Sequence, residues 1–280
     1  MMNISVLVRT LNEEVNLSDF LENLRWCEDI VLVDSGSTDE TLAIAESASV
    51  RIFHKGWDGD ESQHLHWIME HVDFKHEWVL LLDADERAPQ PLLKEIETTI
   101  QLPEGSSPNA YYIGRKNYLL GKWIKHSMPT TPVMRMFRPG KIRWERKINP
   151  VPVVDGSYGY LKENLDHFNF SKGISEWLDR HNRYATYEAM ETLKSLSMDT
   201  LKIAPLFSRD IAKRRAALKK LSFRLPARPF IKFIYTYFIR LGFLDGRAGL
   251  IYCSLQCIYE WMIVIKVRCI QHEEKQVSQT

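Results

Sequence analysis

The chain has 280 residues, 45% hydrophobic and 26% charged, which supports one large domain or one domain with an appendage. Its mean hydropathy of −0.28 excludes a polytopic membrane protein. The net charge of +1 hides an asymmetry: residues 201–250 hold twelve Lys/Arg against Asp210 and Asp245, or +10, leaving −9 for the rest. An acidic body joined to a basic segment points to an anionic surface as partner.

The first ninety residues alternate strand-like and helix-like runs. Residues 4–8 (ISVLV) read as a buried strand. Residues 13–26 place Val15, Leu17, Phe20, Leu21 and Leu24 near one helical face, with Asn12 as the expected cap. Residues 29–33 (DIVLV) form a second strand, and Ser37 with Glu40 makes a capping-box signature for a helix over 39–48. A third strand at 50–53, a helix at 61–71 and a strand at 77–82 (EWVLLL) complete the series. Apolar strands separated by helices of about ten residues indicate βαβ units and a parallel sheet covered on both faces. Residues 109–166 change to short β-prone pieces, read as an antiparallel edge with acceptor-facing loops. Helices follow at 175–196 and 211–221, then apolar aromatic segments at 230–243 and 249–267, and a disordered tail after Gln271. Cys27, Cys253, Cys257 and Cys269 show neither metal-ligand spacing nor a disulfide framework, and the N-terminus has no signal-peptide pattern; a cytoplasmic protein is expected.

The chemistry gathers at strand ends. The fourth strand runs into Asp83-Ala84-Asp85-Glu86, and two carboxylates one residue apart are hard oxygen ligands suited to Mg²⁺ or Mn²⁺ bridging substrate phosphates. Such a pair alone also occurs in solvated loops. Its neighbours add weight: Arg9-Thr10-Leu11-Asn12-Glu13 ends the first strand, and Asp34-Ser35-Gly36-Ser37-Thr38-Asp39 ends the second. Ligands of open α/β sheets bind outside the carboxyl ends of the strands. The first strand end lacks a glycine fingerprint and no GxxxxGK[ST] occurs, which excludes a dinucleotide enzyme and a P-loop. Arg135 and Arg138 carry guanidinium groups suited to phosphate.

Three segments in order, SVLVRTLNEEVNL, IVLVDSGSTDET and WVLLLDADE, resemble the signature segments of family 2 glycosyltransferases. The resemblance continues through GRKNYLLGKWIKHS, RMFRPG, LDHF and WLDRHNRYATYEA to FIRLGFLDGRAG, covering about residues 3–268 and pointing to the bacterial lipopolysaccharide-core and exopolysaccharide branch. It implies an α/β, GT-A-type Rossmann-like mixed sheet flanked by helices over residues 1–170. A basic, amphipathic helical region over 171–270 and a tail at 271–280 would follow. It further implies a nucleotide sugar bound by Thr10, Asn12, Glu13, Asp34, Ser37, Asp39, Asp83 and Arg135, and a divalent metal held by Asp83, Asp85 and His167.

Direct inverting transfer of a hexose needs a base to take the acceptor hydroxyl proton. Many members carry a His-Glu pair where this chain reads Lys147-Ile148-Asn149-Pro150, so Glu145 or Asp155 is the expected base, and a catalytically inactive sugar- or nucleotide-binding relative is the alternative. His66 stands where an asparagine is expected. The acceptor would be a saccharide or glycolipid. The cluster Lys213, Arg214, Arg215, Lys219 and Lys220 ahead of an aromatic segment has the composition of an interfacial membrane anchor, peripheral to the inner face of the cell membrane. The aromatic residues come in apolar runs, not interleaved with the basic ones, which speaks against nucleic acid. Gln256 and Glu260 interrupt the 248–265 run as a transmembrane span.

Overall fold

The computed structural model describes residues 2–102, 107–147, 150–198, 214 and 227–277. The expected basic helix at 211–221, with all its lysines and arginines except Arg214, lies outside these residues, as does Asn149. Two compact units emerge: Met1–Tyr118 with Pro129–Ser171, and Leu119–Met128 with Lys172–Thr280.

The first unit is built on strands β1 (Ile4–Thr10), β2 (Ile30–Asp34), β3 (Arg51–His54), β4 (Trp78–Asp83), β5 (Glu86–Arg87), β6 (Ala110–Leu119), β8 (Thr131–Phe137) and β11 (Tyr158–His167). They lie in the order β3-β2-β1-β4-β8-β6-β11-β5. The first four are parallel, β8 runs antiparallel between β4 and β6, and β11 is parallel to β6. This is the mixed sheet of the GT-A type. A separate hairpin pairs β9 (Ile142–Glu145) with β10 (Val151–Val154).

Strand alternation sends side chains to opposite faces. Val6, Val8, Leu80 and Leu82 join Leu17 and Phe20 of α1 (Glu14–Asn23) and Leu92 and Ile96 of α4 (Gln90–Ile100). Leu7, Val79 and Leu81 join Leu65 and Ile68 of α3 (Glu61–His71) on the other face. Both faces of the central strands are therefore dry, which is why these strands read as unbroken apolar runs.

The helix starts differ from expectation. The helix after β1 begins at Glu14 and α2 at Thr41 (Thr41–Glu46), and Asp39, two residues ahead of α2, accepts the Thr41 amide (3.0 Å). The two starts also bond to each other. Asp39 Oδ2 accepts the Glu14 amide (3.2 Å), Glu14 Oε2 accepts the Glu40 amide (3.1 Å), and Asn12 Oδ1 accepts the Thr38 amide (2.8 Å). Ser37 turns away from the expected capping box to donate to Asp34. These bonds tie the two strand-end loops together.

The second unit contains β7 (Lys122–Trp123), α5 (Gly173–Met198), α6 (Arg228–Ile234), a π-turn (Tyr235–Ile239), a 3₁₀ turn (Gly242–Asp245) and α7 (Gly246–Val277). Asp245, 1% exposed, clasps the 119–128 segment by accepting from the His126 amide (3.0 Å) and the Ser127 amide and hydroxyl (both 2.7 Å). Gly249 permits this closeness, since a Cβ there would lie 2.1 Å from the Gly242 carbonyl. The final helix runs past Gln271 to Val277.

Candidate active site

Register brings the strand ends together. On β1, Thr10 stands beside Asp34 of β2, and Arg9 beside Asp83 of β4. All three strands end at one edge, carrying Asp34 and Asp83 on either side of Thr10.

Asp34 is 1% exposed and organises its loop. Thr10 Oγ1 (3.0 Å) and Ser37 Oγ (2.5 Å) donate to Oδ1, and the Gly36 (2.9 Å) and Ser37 (2.8 Å) amides donate to Oδ2. Gly36 makes the turn at φ +101°, a conformation that favours glycine. Burial pushes the Asp34 carboxyl up, but the hydrogen bonds from Ser37, Gly36 and Thr10 outweigh it and hold the group below the ordinary carboxylate range. Its oxygens are therefore engaged within the loop. The Asn12 amide, at φ +55°, donates to Ser37 Oγ (2.9 Å), and the Glu13 amide donates to Thr41 Oγ1 (2.7 Å).

Asp83 meets cations from three strands. Arg135 Nη2 contacts its Oδ2 and lies 2.7 Å from Glu86 Oε1; Arg115 Nη1 lies 3.9 Å from Asp83 and 3.6 Å from Glu86. Glu86 Oε2 accepts the Asp83 amide (3.0 Å). Burial raises the Asp83 carboxyl, but Arg135, Arg9 and Arg115 win and bring it to about 2. The Glu86 carboxyl goes the other way: burial and the Asp83 charge push it up despite the same arginines. Arg115 Nε and Arg135 Nε are buried without a partner.

Asp85 faces His167, Oδ2 to Nε2 at 3.4 Å. The Phe168 amide donates to the Asp85 carbonyl (2.8 Å), and Arg87 donates to the Ala84 carbonyl (2.8 Å), fixing the loop. His167 is in register with both Asn117 of β6 and Glu86 of β5. Its Nδ1 lies 2.8 Å from Asn117 Oδ1, while Asn117 Nδ2 turns to the Arg115 carbonyl (3.4 Å). That arrangement puts a proton on Nδ1 and aims the Nε2 lone pair at a carboxylate. Two acceptors facing each other call for a cation or a second proton between them. Among the described residues no group of three or more His, Cys, Asp or Glu is placed to hold a metal ion. The pair nevertheless fits Mg²⁺ or Mn²⁺, which take one or two protein ligands and fill the shell with phosphate oxygens and water. The Asn117 contact fixes the orientation of the His167 ring.

The two base candidates separate. Glu145, exposed and paired with Arg143 (3.2 Å), ends β9; two residues on, the Lys147 carbonyl accepts the Glu61 amide (2.9 Å), and Glu61 holds Arg9 (3.2 Å) beside Asp83. Asp155, paired with Lys141 (3.0 Å), adjoins Asn109 just before β6, roughly 20 Å from Arg115 at about 3.3 Å per strand residue. It lies at the opposite edge. Arg138 lies there too, over the Trp78 ring (4.4 Å to its centroid) and beside Glu77. His66 proves to be a fastener, its Nε2 accepting the Trp144 amide (3.0 Å) and tying β9 to α3.

Glu86, Arg115, Asn117 and Arg9 were not singled out from the sequence. Glu86 directly follows the paired aspartates, and Arg115 and Asn117 lie in the GRKN segment, but their convergence depends on long-range pairing.

The sequence model of glycosyl transferase family 2 matches residues 5–166, more than half of the chain, and ends one residue before His167. The chain belongs to glycosyl transferase family 2. It is a glycosyltransferase. It is 26% identical to the lipopolysaccharide core biosynthesis glycosyltransferase LpsC of Rhizobium meliloti (strain 1021), over 94% of this chain and 91% of that protein. It is 33% identical to the uncharacterized glycosyltransferase RP128 of Rickettsia prowazekii (strain Madrid E), over 99% and 90%. Among solved structures, glucosyl-3-phosphoglycerate synthase from Mycobacterium tuberculosis in complex with Mn²⁺, uridine diphosphate and glucosyl-3-phosphoglycerate matches 42% of this glycosyltransferase and 44% of that chain. The TM-score of that match is 0.31 at 21% identity.

Proposed function

We propose that this glycosyltransferase moves a hexose from a nucleotide sugar, UDP-linked by the family resemblance, to a lipopolysaccharide or lipid-linked saccharide, with inversion. The observation that carries the reading is the shared strand edge. There Asp85 and His167 face each other, Asp83 is held among arginines, and the Asp34-organised loop stands next to them. Thr10, Asn12, Glu13, Ser37 and Asp39 shape the nucleotide side through loop backbone. The guanidinium groups of Arg115 and Arg135 are of the kind that suits diphosphate oxygens. Asp85 and His167, with Asp83 behind them, would hold a divalent cation, which when bound stabilises charge on the leaving diphosphate. Glu145 takes the acceptor proton, in preference to Asp155, because it ends the strand that leads to the Arg9–Glu61 pair. The lipopolysaccharide acceptor rests on the similarity to the Rhizobium meliloti protein. Work on such an acceptor places the enzyme in the cytoplasm, at the inner, anionic face of the membrane.

Purified protein with Mn²⁺ is expected to bind and slowly hydrolyse a UDP-hexose. Asp85→Ala should abolish both, while Glu145→Gln should keep donor binding and lose transfer by about 10²–10⁴-fold. A wild-type protein that binds no nucleotide sugar with Mn²⁺ present overturns the reading.

A further inference from the structure

The second unit exposes apolar surface that sugar transfer does not use. Ile234, Tyr235, Phe238, Ile239, Phe243 and Leu244 are each 43–68% exposed, at the end of α6 and in the turns that follow it. Contiguous apolar surface of this kind marks an interaction site. The charges beside it have one sign. Arg228 pairs with Glu260 (2.7 Å), Asp245 is buried against Ser127, and Lys232, Arg240 and Arg247 remain at the surface. In sequence the segment also follows the lysines and arginines of residues 202–224.

Helix α7 offers a different membrane mode, since residues 242–274 are long and apolar enough to cross a bilayer by length and composition. Its packing argues otherwise. Lys266 Nζ donates to the Asn182 carbonyl (2.5 Å), Asn182 Oδ1 (2.6 Å) and Thr186 Oγ1 (2.7 Å) of α5, and His181 meets the Tyr259 ring edge-on (5.0 Å). The partner helix reads GISEWLDRHNRYATYEAMETLK, too polar to enter hydrocarbon beside it. The long helix is tied to a polar neighbour along its length.

We infer that the segment from Phe230 to Leu244 is a wedge that enters one leaflet of an anionic bilayer, with Lys232, Arg240 and Arg247 on the headgroups and no helix spanning. A second copy of the chain fits less well, because a two-fold contact would bring both sets of cations together. The inference rests on the membrane reading above and specifies how contact is made.

The test uses the full-length enzyme without donor or metal, so it does not depend on catalysis. Flotation is measured with phosphatidylglycerol-containing and pure phosphatidylcholine vesicles. The wild type should float with the anionic vesicles, and Phe238→Ser/Ile239→Ser and Lys232→Glu/Arg240→Glu should each lower partitioning roughly tenfold or more. Unchanged thermal midpoints would show that the variants fold. In bound wild type, a membrane-impermeant maleimide should label the exposed Cys269 as fully as in free protein. Binding that survives both double substitutions keeps the membrane reading and overturns the wedge. Protection of Cys269 also overturns it, in favour of an inserted α7. No flotation with any vesicle overturns both readings. Self-association abolished by Phe238→Ser/Ile239→Ser, without vesicle binding, would assign the patch to a second copy instead.

Discussion

Arg135→Met removes the cation on which Asp83 and Glu86 converge, and the two acids do not suffer equally. The Asp83 side chain is 38% exposed and can rehydrate, whereas Glu86 is 0% exposed. Arg115, 3.6 Å from Glu86, stays as a partial counterion. Breaking a buried pair from one side costs about 3–5 kcal/mol, and the remaining arginine puts this case near the lower end, about 3 kcal/mol. At about 2–4 °C per kcal/mol for a unit of this size, the melting midpoint falls by roughly 6–12 °C.

The loss has a definite pH sign. Burial already lifts the Glu86 carboxyl in the folded state, so the fold holds that proton more tightly than the unfolded chain does. A group of this kind lowers stability as pH rises through its folded value. Removing Arg135 lifts it further, so the deficit should be greatest at neutrality and shrink toward the ordinary glutamate range near about pH 4. Adding Glu86→Gln should recover part of the loss, because a carboxamide needs no counterion; a coupling of about 1–3 kcal/mol is expected. Urea unfolding of the wild type, both single variants and the double variant, at about pH 5 and about pH 7.5, supplies the cycle. Losses that add within about 0.5 kcal/mol, or a deficit that grows on acidification, would refute the assignment of Glu86 as Arg135's buried partner.

Asn117→Leu removes the acceptor that holds the His167 Nδ1 proton, and Mn²⁺ affinity, followed by electron paramagnetic resonance of the free ion, should fall about 10–100-fold. An unchanged affinity would remove His167 from the metal set. Asp83 predicts an acid effect of opposite sign to Glu86. Its carboxyl sits at about 2 against an ordinary value near 3.9, so the stability it lends is present above about pH 4 and lost as pH falls toward 2. Asp83→Asn should therefore show a shallower stability loss than wild type across that window in acid titrations followed by circular dichroism; parallel curves would contradict the Arg-held carboxylate.

The parallel half of the sheet was legible because β1, β2 and β4 are buried on both faces, which leaves unbroken runs of Val, Ile and Leu. The paired aspartates were legible for a related reason: a carboxylate can follow such a run only where the strand leaves the core. What lay beyond local pattern was the antiparallel β8 between β4 and β6, and with it the delivery of Arg135 to Asp83. Local pattern even misled at the helix starts, where Ser37 and Glu40 satisfy the capping-box spacing while Asp39 takes the amides of both Thr41 and, across the loops, Glu14. Glu86 read as one more acid in a polar loop; only the pairing of β5 with β11 shows it sealed beneath two arginines. His66 was visible as an oddity, but its role depends on a hairpin 78 residues further along the chain.

Counted as charges, the cluster around Asp83 is balanced before any substrate arrives. Asp83 and Glu86 face Arg115 and Arg135, and Arg9 faces Glu61. A sugar diphosphate adds two negative charges and a divalent cation two positive ones. Either alone leaves an imbalance in a half-buried place, where two unit charges about 4 Å apart interact by about 4 kcal/mol at an effective dielectric near 20. Together they add no net charge. The proposed function therefore requires donor and metal to bind cooperatively, and linkage makes the coupling reciprocal: Mn²⁺ must tighten UDP by the factor by which UDP tightens Mn²⁺, about 5–150-fold for ordinary couplings. Calorimetric titration of UDP with and without Mn²⁺, and of Mn²⁺ with and without UDP, measures both factors. If each ligand binds equally well in the absence of the other, the diphosphate and the cation do not share the Asp83–Asp85 edge, and the donor must be held elsewhere.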